Sequence, residues 1–109
     1  MNNRSSPTEQ EALSLARRLR EKLQSERIPV RDLILFGSIV RGEQHPWSDI
    51  DIAILCEPFL PTRHEENMEV RKARRNIDVR ISPLCLHPKD FQNRYWRLPK
   101  EIARNGVKV

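Results

Sequence analysis

The chain has 109 residues, of which 38% are hydrophobic and 32% charged, and its formal net charge is +5. That length allows one domain with its own core and little room for a second, and no apolar run approaches the roughly 20 residues of a membrane-spanning helix. The first six residues carry no apolar segment behind their single charge, which argues against a secretion signal, and two cysteines, Cys56 and Cys85, are too few for a disulfide framework, so a cytoplasmic setting is expected.

Ser6-Pro7-Thr8-Glu9 reads as a capping box with proline at the first helical position. Behind it Leu13, Ala16, Leu19 and Leu23 recur at helical spacing, predicting an amphipathic helix to about Ser25. Leu33-Ile34-Leu35-Phe36 is a continuous apolar run, as expected of a strand buried on both faces. Gly37-Ser38 ends it abruptly, and the residues from Ser38 to Gly42 suffice for one helical turn. A loop with Pro46 and Trp47 follows; loop packing is the expected role of Trp47, ahead of stacking on a base or a partner. Asp49 to Leu55 alternates and then turns apolar, a second strand. Thr62-Arg63-His64-Glu65 forms another capping box, opening a helix toward Arg75. Ile77-Asp78-Val79-Arg80-Ile81 alternates strictly and predicts a third strand, which Pro83 would end. Pro88 starts a turn of helix through Asp90-Phe91, and Pro99 to Asn105 is a closing helix with Gly106 at its C′ position. Tyr95 and Trp96 are expected to pack beneath it. The order implies an α/β (α+β) fold, a small mixed sheet flanked by helices. A single domain over residues 1–109 is expected, with residues 1–6 expected to be flexible.

Three features carry chemistry when taken together. Gly37-Ser38 lies between a buried strand and a helical turn, where glycine permits close backbone approach and the turn's N–H groups and the Ser38 hydroxyl can face an anion. Asp49 and Asp51 sit two apart in a strand, so their carboxylates share one face, with Cβ atoms roughly 7 Å apart, while Ile50 and Ile52 enter the core. Two carboxylates so placed repel each other unless a cation joins them, and hard oxygen ligands select Mg²⁺ or Mn²⁺. Asp78, in the expected third strand, would extend the set to three if the strands are neighbours. Three carboxylates around two metal ions about 3.5–4 Å apart serve in-line phosphoryl transfer; the plainer reading of Asp78 is a surface pair with Arg80.

Gly37-Ser38, ten intervening residues and Asp49-Ile50-Asp51 resemble the G-S-x₁₀-D-x-D signature of the polymerase-β-like nucleotidyltransferases. Gly37 to Gly42, followed by Ser48 to Asp51, looks like their minimal (MNT) branch, and Glu101 to Val107 is similar to that branch's closing helix and glycine. The resemblance implies a nucleotidyltransferase (polymerase-β-like) core. It implies Mg²⁺-dependent transfer of a nucleoside monophosphate, AMP from ATP or another NTP, to an acceptor hydroxyl. It places the triphosphate on Gly37, Ser38 and Arg41, and two Mg²⁺ ions (Mn²⁺ may substitute) on Asp49, Asp51 and Asp78, with Asp78 also activating the acceptor. Arg41 fits the pattern, yet it can equally brace the loop by pairing with Glu43. Many members carry arginine where Ile39 stands here.

No second domain to position an acceptor is expected in 109 residues, so a partner is expected to supply it. Resemblance to minimal nucleotidyltransferases implies a specific one: a helical HEPN ribonuclease toxin, modified on a tyrosine, with this chain as its antitoxin. Two alternatives are an antitoxin that acts by contact alone and, behind it, a transferase acting on a small molecule. The cluster Arg71, Lys72, Arg74 and Arg75 reads first as a complement to a helix dipole, so nucleic acid is a less favoured partner. No membrane partner is expected, and the oligomeric state is open.

Overall fold

A computed structural model describes residues 5–109. The expected flexibility of residues 1–6 falls mostly outside that range. Helix α1 (Glu9–Ser25) is capped by Thr8, whose hydroxyl accepts from the Glu11 N–H at 3.0 Å. The capping motif is therefore Thr8-x-x-Glu11, two residues later than the Ser6 start read from the sequence. Ala12, Ala16, Leu19 and Leu23 of α1 are fully buried.

The sheet has four strands: β1 (Val30–Phe36), β2 (Ile50–Cys56), β3 (Ile81–Leu86) and β4 (Val107–Lys108), in the order β3-β2-β1-β4. β1 runs antiparallel to β2 and to β4, whereas β2 and β3 are parallel and are linked through helix α3 (Arg63–Arg74). This is the small mixed α/β sheet that the order of elements implies. Alternation along β1 explains why its apolar run is continuous. Leu33 and Leu35 pack with α1 and α3 on one face, and Ile34 and Phe36 belong to a second cluster on the other. That second cluster includes Ala53, Leu84 and Phe91, and is covered by Trp96 and by Leu98 and Ile102 of α4 (Leu98–Asn105).

Three expectations are corrected. The third strand is not 77–81 but Ile81–Leu86, and Pro83 lies inside it. β3 is an edge strand, where proline forfeits no ladder bond on its open side. The alternation at 77–81 did not mark a strand, since Val79 is 72% exposed in the turn that leads into β3. Gly106 ends α4 in an extended conformation (φ −78°) rather than a left-handed one, so close packing is what requires glycine there. A Cβ would strike the Ile34 side chain and come within 2.6 Å of the Ile102 carbonyl. β4, too short to show any periodicity, follows directly.

Helix α3 is tied to the 3-10 turn Pro88–Gln92 by a buried polar network. Glu66 is fully buried, accepts from the Phe59 and Leu60 N–H groups at 2.7 and 3.3 Å, and meets His87 Nε2 at 2.7 Å. His87 Nδ1 faces Arg63 Nη2 at 2.9 Å; arginine can only donate, so Nδ1 accepts and Nε2 carries the hydrogen given to Glu66. Asp90 accepts from Arg63 and from the His87 N–H. Among the described residues no helix is long and apolar enough to cross a membrane.

Candidate active site

The site forms where β1 ends. Gly37 follows Phe36 with φ +85° and ψ −154°, a region open in practice only to glycine, and starts the four-residue helix α2 (Ser38–Arg41). The first N–H groups of any helical turn lack partners within it, so this turn presents backbone donors beside the Ser38 hydroxyl. Ile39 is buried in the main core and pins the turn from below. An arginine at that position, as in many of the proteins the motif resembles, would have to bury its charge in this apolar setting.

Asp51 stands on β2 directly across from Phe36, with its carboxylate against Gly37. Asp49 is exposed, one residue before the strand begins, and Ile50 and Ile52 are fully buried in the main core. Burial raises the Asp51 pKa above the ordinary carboxylate value, the negative charge of Asp49 raises it further, and Arg41 lowers it in part. The Arg41 guanidinium is exposed and its Nε is bonded to the Glu43 carboxylate. The loop-bracing role is thus present in the structure, and Arg41 remains close enough for its charge to reach Asp51.

Asp78 does not stand beside them on a strand. It lies in the turn after α3, where its Oδ1 accepts from the Arg80 N–H at 2.8 Å and from Arg80 Nε at 3.0 Å, and its Oδ2 from Arg80 Nη2 at 2.8 Å. Arg80 also reaches Glu11 of α1 at 3.3 Å, and its pKa is pushed above the ordinary value, chiefly by its hydrogen bonds to Asp78. The plainer reading of Asp78, a pair with Arg80, is thus the one the structure contains, and the pair shapes the entry to β3. The β3 residue in register with Asp51 is Ser82, and it is exposed. Phe36, Asp51 and Ser82 therefore form one row across β1, β2 and β3.

A family model described as the nucleotidyltransferase domain matches residues 16–109. The chain belongs to the nucleotidyltransferase domain family. No curated protein matches it with significance. Among solved structures it is similar to a Sulfolobus solfataricus protein assigned only provisionally to the nucleotidyltransferases. The TM-score is 0.63 at 21% identity, over 89% of this chain and 78% of that one; at that identity the likeness speaks to the fold alone. Transfer of a nucleoside monophosphate is the general reaction class that membership of the family supports.

Within this nucleotidyltransferase domain the donor set fits a divalent cation at Asp49 and Asp51, whose mutual repulsion a cation would relieve. It does not fit a three-carboxylate site: among the described residues no three His, Cys, Asp or Glu side chains gather to hold a metal ion. Ser82 is the site-facing residue that sequence reasoning missed. Its signal was the strand register, and the misplaced third strand hid it. Trp47, expected to pack in its loop, is 65% exposed, and Tyr95, expected beneath α4, is 85% exposed. Trp96 does join the cluster under α4.

Proposed function

We propose that this chain transfers AMP from ATP to an acceptor hydroxyl, a tyrosine of a HEPN-type toxin, and thereby acts as that toxin's antitoxin. The observation that carries the transferase part is the contact between the Gly37 turn and the Asp51 carboxylate within a nucleotidyltransferase domain. It brings a backbone turn suited to an anion and a carboxylate suited to a cation to one point. The backbone of the turn and the Ser38 hydroxyl hold the triphosphate oxygens, and Arg41 adds positive charge at the rim. Asp49 and Asp51 would hold one Mg²⁺, which supplies charge neutralisation at the phosphates and favours the deprotonated acceptor. The acceptor oxygen bonds to the α-phosphorus as the bond to pyrophosphate breaks, and the hydroxyl proton passes to solvent. β3 is an edge strand, so the Ser82 end of the row is the open side from which an acceptor approaches.

A second reading is an antitoxin that neutralises its partner by contact. The engagement of Asp78 by Arg80, with a serine in register beside Asp51, favours it. Co-expression of the toxin with Asp49→Asn/Asp51→Asn separates the two. Loss of growth protection while the complex still forms supports transfer; full protection by the double variant overturns it in favour of contact.

A further inference from the structure

Beside the Gly37 turn a cavity of about 360 Å³ opens between α2 and α4. This lies at the small end of the range of small-molecule sites, roughly 300–1,000 Å³. Its apolar walls are Phe36, Val40, Leu98 and Ile102, and its polar groups are Arg41, Glu101 and Asn105. Leu98, Glu101, Ile102 and Asn105 recur at helical spacing, so α4 turns one face to this space. Ile102 is buried, while Glu101 and Asn105 are exposed at its edge.

The cavity is joined to the reacting centre by the strand register. Phe36, which lines it, is the cross-strand partner of Asp51, and directly opposed residues have Cβ atoms about 4.5–5.5 Å apart. Gly37 lines it too and abuts the Asp51 carboxylate. Along the row Phe36, Asp51, Ser82, the cavity is thus at one end and the open sheet edge at the other. A substrate lying along that row has its enclosed, apolar part at Phe36 and its reacting part at Asp51.

We propose that this cavity takes the nucleoside part of the nucleotide, an inference that rests on the nucleotidyl-transfer reading of the same site. The base lies between the apolar walls, and the Asn105 amide offers a donor and an acceptor to its edge, the pairing an asparagine makes bidentately with adenine. The Glu101 carboxylate takes hydrogen bonds from ribose hydroxyls or an exocyclic amine and repels phosphate, which fixes the direction of the nucleotide. The triphosphate then runs out over Gly37 and Ser38 toward Asp51. The chemical class is a nucleoside triphosphate, with adenine the base best matched.

Equilibrium binding of ATP and of inorganic tripolyphosphate, each with Mg²⁺, tests this on the intact chain and on Glu101→Ala/Asn105→Ala. Both positions are exposed, and circular dichroism confirms that the variant folds. ATP is expected to bind the intact chain at least about tenfold more tightly than tripolyphosphate; the double substitution is expected to weaken ATP binding about tenfold, while tripolyphosphate, no longer repelled by Glu101, binds no more weakly than before. Equal binding of the two ligands, or an ATP preference that survives the double substitution, overturns the proposal while leaving nucleotidyl transfer standing. Binding of neither ligand to the intact chain overturns both.

Discussion

Gly37 and Asp51 meet so closely that glycine is the only residue that fits between the end of β1 and the β2 carboxylate: a Cβ on Gly37 would overlap Asp51 Oδ2 and lie 3.0 Å from its Cγ. The positive φ of Gly37 adds a second, independent reason. Gly37→Ala is therefore expected to cost about 1–3 kcal/mol of stability and to abolish nucleotide transfer, because the carboxylate must move away from the turn. Chemical denaturation and pyrophosphate release measure the two effects. A variant that folds and turns over normally would show that the contact is incidental.

The three aspartates are expected to behave differently. Asp51→Asn should abolish binding of Mn²⁺ as a probe, measured by electron paramagnetic resonance, and should leave the fold intact. Asp78→Ala should retain Mn²⁺ binding and lower stability by about 1 kcal/mol, the scale of a partly exposed ion pair. Ser82→Asp would place a third carboxylate in register with Asp51, and we expect it to tighten Mn²⁺ binding at least about tenfold, since added ligand charge raises affinity. Equal loss of Mn²⁺ binding in Asp51→Asn and Asp78→Ala would contradict this assignment.

The buried network around Glu66 predicts an acid limit. Burial alone would raise the pKa of both Glu66 and Asp90. Hydrogen bonds from Phe59, His87 and Leu60 reverse this for Glu66, those from His87 and Arg63 reverse it for Asp90, and both carboxyls end below their ordinary values of 4.5 and 3.8. A folded-state pKa below the unfolded one contributes stability above the unfolded value, and that contribution is lost as pH falls through the folded value. The network should thus be at full strength above about pH 4.5 and weaken below it. Glu66→Ala strands the Phe59 and Leu60 N–H groups and should cost about 3 kcal/mol, with a shallower acid dependence than the parent chain. Urea titrations between pH 3 and 7 would decide it.

Much of this was legible in the sequence. The apolar run Leu33 to Phe36 gave the central strand because burial on both faces leaves no polar positions. Gly37-Ser38 and Asp49-Ile50-Asp51 were visible because their chemistry is local: a turn and a strand face are each set within a few residues. What failed depended on tertiary context. The strand-like pattern at 77–81 is a turn organised by Asp78, whose carboxylate pairs with Arg80, and β3 begins only at Ile81. Pro83 looked like a terminator, although an edge strand tolerates it. Ser82 could be found only from the register of β3 against β2, and β4 only from its pairing with β1.

The most direct test of nucleotidyl transfer is mass spectrometry of this chain and its co-purified partner after incubation with Mg²⁺ and ATP, beside the Asp49→Asn/Asp51→Asn variant. The account predicts an AMP-sized mass increase on a partner tyrosine that the variant does not produce. A stable complex with no mass increase under any NTP, or with Mn²⁺ in place of Mg²⁺, would contradict it.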